Sequence, residues 1–194
     1  MEHQVQAAAV LTPVMTARRH LDAYRDAAPA ITTCRVEGPV IVDPAVELLA
    51  PVPLDLLRDA RDELGASEVA LGSRAWEVFR RLDGLRSDRP VRVWIYASHN
   101  PAQPVPPSAT WSALYMRQVE SIGGAHPQSA RYRSTLARPE DGIAFWAIYW
   151  HVVELTELPP NRYRPVAEMQ GLGQRRPYGH PFEPEGPMLI EPVG

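Results

Sequence analysis

Three aromatic-rich runs decide how this chain folds: VRVWIYAS (Val91–Ser98), TWSALYMRQVE (Thr110–Glu120) and IAFWAIYWHVV (Ile143–Val153). Each alternates in the manner of a β-strand, whose successive side chains point to opposite faces. In the first run Val91, Val93, Ile95 and Ala97 share one face, and Arg92, Trp94, Tyr96 and Ser98 share the other. In the second, Trp111, Ala113, Tyr115, Arg117 and Val119 oppose Ser112, Leu114, Met116 and Gln118. In the third, Phe145, Ala147, Tyr149 and His151 oppose Trp146, Ile148, Trp150 and Val152. Bulky residues on both faces predict central strands buried on both sides, or a curled sheet whose concave side is filled or lined.

Upstream of residue 86 the apolar spacing is helical instead. Thr12–Pro13 reads as a cap and first-turn proline, and predicts a helix over about residues 13–27. Ile31–Val36 and Val40–Val42 read as short strands around Gly38–Pro39, and Pro44, Pro51 and Pro53 punctuate the next stretch. Helices are expected over residues 54–64, ended by Gly65, and after Ser73, with Trp76, Phe79, Leu82 and Leu85 on the apolar face. The expected division is a mainly helical N-terminal extension over residues 1–70 and a β-rich domain over residues 71–194. Near the end of the chain Met188–Ile190 reads as one more strand.

The chain has 194 residues, 45% of them hydrophobic and 22% charged, which is ordinary for a globular protein. No stretch has the length and apolarity of a membrane span, and the N-terminus lacks the basic start of a signal peptide, so a cytoplasmic setting is expected. The single cysteine, Cys34, excludes an internal disulfide and a multi-cysteine zinc site. All 20 basic residues are Arg, a pattern that fits GC-rich bacterial coding. The formal net charge of −3 argues against a large electrostatic footprint on nucleic acid. Any such contact must be a local patch, and the balanced second half is where it is expected.

At these residues the chain resembles the EVE branch of the PUA-like superfamily. The resemblance covers about residues 73–192. Its pieces are Trp76 to Arg81, Trp94-Ile-Tyr96-Ala-Ser98-His-Asn100, Trp111–Glu120, Phe145-Trp146 to Val153, Leu155-Thr-Glu-Leu158-Pro159, and Arg175-Arg176-Pro177. Ser87-Asp88-Arg89-Pro90 stands where that family has a Gly-Asp turn. The resemblance implies an α+β fold: a small mixed β-barrel flanked by helices, here with the helical extension before it. It also implies an aromatic pocket for a nucleobase, often a modified one. Stacking on aromatic side chains, about 1–3 kcal/mol per base, offsets the cost of unstacking a flipped base.

The candidate ligand-binding residues are Trp94, Tyr96, Ser98, His99, Asn100 and Trp146. They combine flat apolar walls with a few directional hydrogen-bonding groups. Packing of the same aromatics in a core is the competing reading. Arg131, Arg133, Arg175 and Arg176 are the candidate contacts to a nucleic-acid backbone. His99, His126, His151 and His180 lack metal-ligand spacing, so no metal is expected, and no cofactor. Nucleophile elbows, phosphate-binding glycine loops and kinase motifs are absent, and no catalytic residue is assigned.

The reading these observations favour is a module that binds DNA or RNA carrying a modified base, with no membrane partner. Two alternatives stand beside it. One is a small enzyme acting on a nucleobase, nucleoside or nucleic acid, with His151, Tyr149 and Glu154 as the nearest polar cluster. The other is a non-catalytic interaction protein whose aromatics are simply core.

Overall fold

A computed structural model describes residues 41–193 except 44, 65–67, 103, 105, 129–145, 180, 181 and 183. All of these belong to one compact unit, Val40–Gly194. The expected helix over 13–27, the strand over 31–36, Cys34, Arg131, Arg133 and His180 lie outside the described residues. The unit is α+β and mostly strand. Its elements run β1 (Glu47–Pro53), α1 (Leu54–Leu64), β2 (Val69–Ser73), α2 (Trp76–Leu85), β3 (Val91–Ser98), β4 (Ser108–Ala109), β5 (Trp111–Glu120), β6 (Ile148–Glu157), β7 (Arg164–Pro165) and β8 (Met188–Ile190).

Six strands form one curled sheet in the order β2-β6-β5-β3-β1-β8, and β4 pairs with β7 separately. β1 runs parallel to β3, with Leu49 opposite Trp94 and Pro51 opposite Tyr96. The remaining neighbours are antiparallel. The sheet thus takes two strands from the stretch before residue 74, so residues 47–70 do not form a separate helical extension. The prolines that hide β1 in the sequence are accommodated by its neighbours. β8 pairs only with Glu47–Leu49. Pro51 and Pro53 therefore fall where β1 has one partner, the edge-like setting in which a strand tolerates proline. Ile41 and Val42 lie outside the sheet.

Both faces of the sheet are apolar, as the alternation of β3, β5 and β6 requires. The first face carries Val91, Val93, Ile95, Trp111, Tyr115, Trp150 and Val152, and the two helices cover it with Leu57 and Ala60 from α1 and Phe79 and Leu82 from α2. Phe79 sits 5.8 Å from the Tyr115 ring and 5.3 Å from the Trp150 ring. The Tyr115 hydroxyl donates to Asp83 Oδ1 of α2 at 2.9 Å, and burial pushes that phenol well above its ordinary pKa. Trp76 and Leu85, expected on the buried side of α2, are 42% and 45% exposed. The second face carries Leu49, Trp94, Tyr96 and Ile190. Leu158, Val166 and Met169, from the chain after β6, cover it together with Tyr163, Tyr178 and Val193.

Two irregularities interrupt the β5–β6 ladder. Tyr115 faces Val152, but Arg117 faces His151, so Met116 is an extra residue on β5. Ser112 faces Thr156, but Leu114 faces Val153, so the extra residue there is on β6, where Glu154 adopts φ +56°. Each bulge flips the strand beyond it relative to its neighbour. Arg117 consequently leaves the face of Tyr115, where plain alternation had put it. β6 also begins at Ile148 rather than near residue 143 and extends to Glu157, so Trp146 precedes the strand and Glu154 lies within it.

The Trp146 indole lies over Gly72 of β2. A Cβ on Gly72 would stand 2.6 Å from three ring carbons. Replacing Gly72 with Ala is expected to destabilise the unit by about 1–3 kcal/mol through this overlap. Urea unfolding of the two proteins measures it.

Candidate functional site

The second face of the sheet carries the two aromatics of β3 around which a pocket was expected. Trp94, 6% exposed, donates its indole N–H to Glu47 Oε2 at 2.6 Å. The same oxygen accepts the backbone N–H of Val193 at 3.0 Å. Glu47 is itself 7% exposed, so two donors and the nearby Arg92, whose Nε is 3.8 Å from Oε1, compensate a buried carboxylate. The guanidinium groups of Arg92 and Arg164 lie 5.8 and 5.9 Å from the Trp94 ring centre. Tyr96 is 1% exposed and donates its hydroxyl to the carbonyl of Pro184. These two aromatics share a face, as their alternation requires, but that face is filled by the chain after β6.

The other candidates are dispersed. Ser98 is half-buried at the end of β3, and His99 follows it exposed, at φ +56°. The Asn100 side chain accepts the Ala102 N–H at 2.9 Å, the ordinary use of Asn in a turn. Trp146 belongs to the far end of the sheet. Trp94 faces Ser112 on β5, whereas Ile148, two residues after Trp146, faces Glu120. Eight strand residues separate these positions, roughly 26 Å, so Trp94 and Trp146 do not form the two walls of one slot. Arg175 and Arg176 are exposed in a turn whose ends, Met169 and Tyr178, pack on the second face.

Between these ends an open cleft of about 180 Å³ is lined by Val42, Arg92, Ser112, Ala113, Leu114 and Glu154. It sits over the β6 bulge. Leu114 and Val42 give it apolar surface, Arg92 offers donors, Glu154 offers acceptors and Ser112 offers either.

Further along the same face lies a buried polar chain. His151 on β6 is fully buried and His126, in the loop after β5, is 4% exposed. Their Nε2 atoms are 3.1 Å apart. His151 Nδ1 lies 3.1 Å from Glu68 Oε1, and Arg117 contacts that oxygen through Nη2 at 3.0 Å and Nε at 3.2 Å. The Gln128 backbone N–H donates to His126 Nδ1 at 2.9 Å. This last bond fixes the tautomers. His126 carries its proton on Nε2 and donates it to His151 Nε2, and His151 donates Nδ1–H to Glu68. Arg117 Nη2, 3.4 Å from His151 Nδ1, then contacts a ring nitrogen that is itself a donor. Burial, with His151 and Arg117 adding to it, lowers the His126 pKa to about 4. Tyr149 packs edge-on against His126 with ring centres 5.0 Å apart, donates its hydroxyl to Gly124 O at 2.8 Å, and has its pKa raised by burial.

A protonated His126 Nε2 has no lone pair for a metal. Among the described residues no three His, Cys, Asp or Glu side chains are grouped to hold one. Alternation placed His151 and Tyr149 together, and the structure agrees. Glu47, Glu68 and Arg117 carried no local signal, because each acquires its role from a partner on another strand. His126 was visible only as a histidine in a long loop. Glu154, expected near His151, belongs to the cleft instead.

No known family model matches the chain, and no curated protein matches it.

Replacing Trp94 with Phe removes one of the two donors on the Glu47 oxygen while keeping an aromatic ring. The expected cost is about 1–3 kcal/mol, read from urea denaturation. A loss under about 0.5 kcal/mol, the range of an ordinary surface change, would show that this bond does not hold the second face together.

Proposed function

We propose that the unit is a nucleic-acid-binding module that takes one base-sized, polar planar group into the Arg92–Ser112–Glu154 cleft. One observation carries the reading: donors, acceptors and apolar surface converge in a small open cleft at a bulge. A nucleobase edge presents donors and acceptors in its ring plane and has an apolar face, and this lining complements both. The volume suits a base rather than a larger ligand, since pockets for drug-sized molecules run from about 300 Å³ upward. Arg162 and Arg164, both exposed, and the exposed pair Arg175–Arg176 belong to the chain that covers the same face, where a phosphate backbone would meet them. The site departs from an aromatic slot built on Trp94, Tyr96 and Trp146: two of those rings are core, and the third lies at the far end of the sheet.

One observation favours a second reading, a small enzyme acting on a nucleobase, nucleoside or nucleic acid. The Glu68–His151–His126 chain is a carboxylate-oriented pair of imidazoles, the arrangement that supports a general base. Its outer end, His126 Nδ1, is taken by the Gln128 amide, and the adjacent Tyr149 hydroxyl is committed to Gly124. The binding reading therefore stands first.

The test is a binding titration with single-stranded and duplex DNA and RNA oligonucleotides, unmodified and base-modified, at two salt concentrations. Salt-sensitive binding that Arg92→Ala weakens on the order of tenfold or more, the scale of a lost charge-assisted hydrogen bond, is expected, with the variant's fold checked by circular dichroism. Failure of every oligonucleotide to bind at low salt would remove the reading.

A further inference from the structure

The segment Ser121–Gln128 is fastened to the start of β6 and to the two residues before it by several bonds, and one of them counts protons. The Ser121 amide donates to Ala147 O at 3.1 Å, the Ser121 hydroxyl donates to Trp146 O, and Tyr149 donates to Gly124 O. These are insensitive to pH in the neutral range. The fourth fastening is the histidine pair. Its direction is set at both ends, by the Gln128 N–H at one and by the Glu68 carboxylate at the other. Among the described residues, the four ring nitrogens make a single head-to-tail chain whose acceptor nitrogens already face donors.

We infer that His126 and His151 form a pH-sensitive latch, and that one added proton on either ring releases the Ile122–Gln128 segment from β6. A proton on His126 Nδ1 would point at the Gln128 N–H. A proton on His151 Nε2 would point at the His126 Nε2–H. Either way a hydrogen bond becomes a facing pair of donors inside a buried cluster, which is costly. Among the described residues, the charged and titratable groups that face the pair come from three elements: Glu68 before β2, Arg117 on β5 and Tyr149 on β6. Glu68 favours an added proton, but Arg117 already neutralises that carboxylate and opposes it.

The sign comes from the direction of the His126 shift, from 6.5 to about 4. The latched form holds the extra proton less tightly than the released form. The latch is therefore fully closed above about pH 6.5 and loosens progressively as pH falls toward 4. On these values the ratio of latched to released segment at pH 5 is lower than at pH 7.5 by roughly thirtyfold. Gln128 is followed in sequence by the stretch carrying Arg131 and Arg133.

The experiment is NMR of the full chain with ¹⁵N-labelled histidine, reading imidazole tautomers and the Gln128 amide between pH 8 and pH 4.5. At pH 7.5 His126 is expected as the Nε2–H tautomer and His151 as the Nδ1–H tautomer. Below pH 6 both ring patterns and the Gln128 amide are expected to change together with one midpoint. The opposite tautomers, or a His126 that titrates near 6.5 while the Gln128 amide stays fixed, would overturn the inference. His126→Gln, which cannot titrate, is expected to abolish the acid-dependent change at the Ser121–Gln128 amides. Persistence of that change in the variant would overturn it as well. The tautomer readout on the native chain decides the matter even where the variant does not fold, and it does not depend on whether any oligonucleotide binds.

Discussion

The central strands of this sheet are apolar on both faces, and the rest of the architecture answers that constraint. A strand carrying Ile95 on one side and Trp94 and Tyr96 on the other needs two covers. The helices supply the first, with Phe79 and Leu82 pressed onto Tyr115 and Trp150. The chain after β6 supplies the second, folding back over Trp94 and Tyr96 and returning as β8 beside β1. Each fully buried large side chain contributes about 1.5–3 kcal/mol, so neither cover is optional. The second cover also buries polar atoms, and it succeeds because Glu47 accepts both the Trp94 indole and the Val193 amide. One carboxylate thereby joins β1, β3 and the end of the described chain.

This explains why the aromatic face of β3 is core rather than slot. Aromatic residues alternating on a strand say that a face is buried, but they do not say what buries it. A ligand and a returning segment of chain produce the same pattern. Here the segment between Leu158 and Val193, rich in Pro and Gly, contains just enough apolar residues to complete the face: Val166, Met169, Tyr178 and Met188 among them.

What could be read from the sequence was what local periodicity encodes. β3, α1, β8 and, on α2, Phe79 and Leu82 stand where the pattern places them, while Trp76 and Leu85 do not, and His151 shares its face with Tyr149. β1 was missed because its prolines look like punctuation, and only the short reach of β8 makes them harmless. β2 was missed because VALGS is five residues long and ends in Gly and Ser; Gly72 is small because the Trp146 indole occupies the space above it. The candidate sites were legible only in part for the same reason. His126 and Glu68 reach His151 from a loop and from the lead-in to β2, and no spacing rule links such positions.

Both candidate sites descend from the irregular pairing of β5 with β6. Were Met116 paired in regular alternation, Arg117 would follow Tyr115 onto the helix-covered face and place a guanidinium among Phe79 and Trp150, where the nearby carboxylate, Asp83, is already taken by the Tyr115 hydroxyl and Arg86. The bulge turns it to the second face, where Glu68 neutralises it and where its charge adds to the lowering of the His126 pKa. Were Glu154 paired in regular alternation, Val153 would lie opposite Tyr115 rather than Leu114. The ladder would run unbroken over the place where Arg92, Ser112 and Glu154 now surround an opening. A regular antiparallel pair would have been more stable strand by strand. The two insertions place one charge and one opening on the face that the helices leave uncovered.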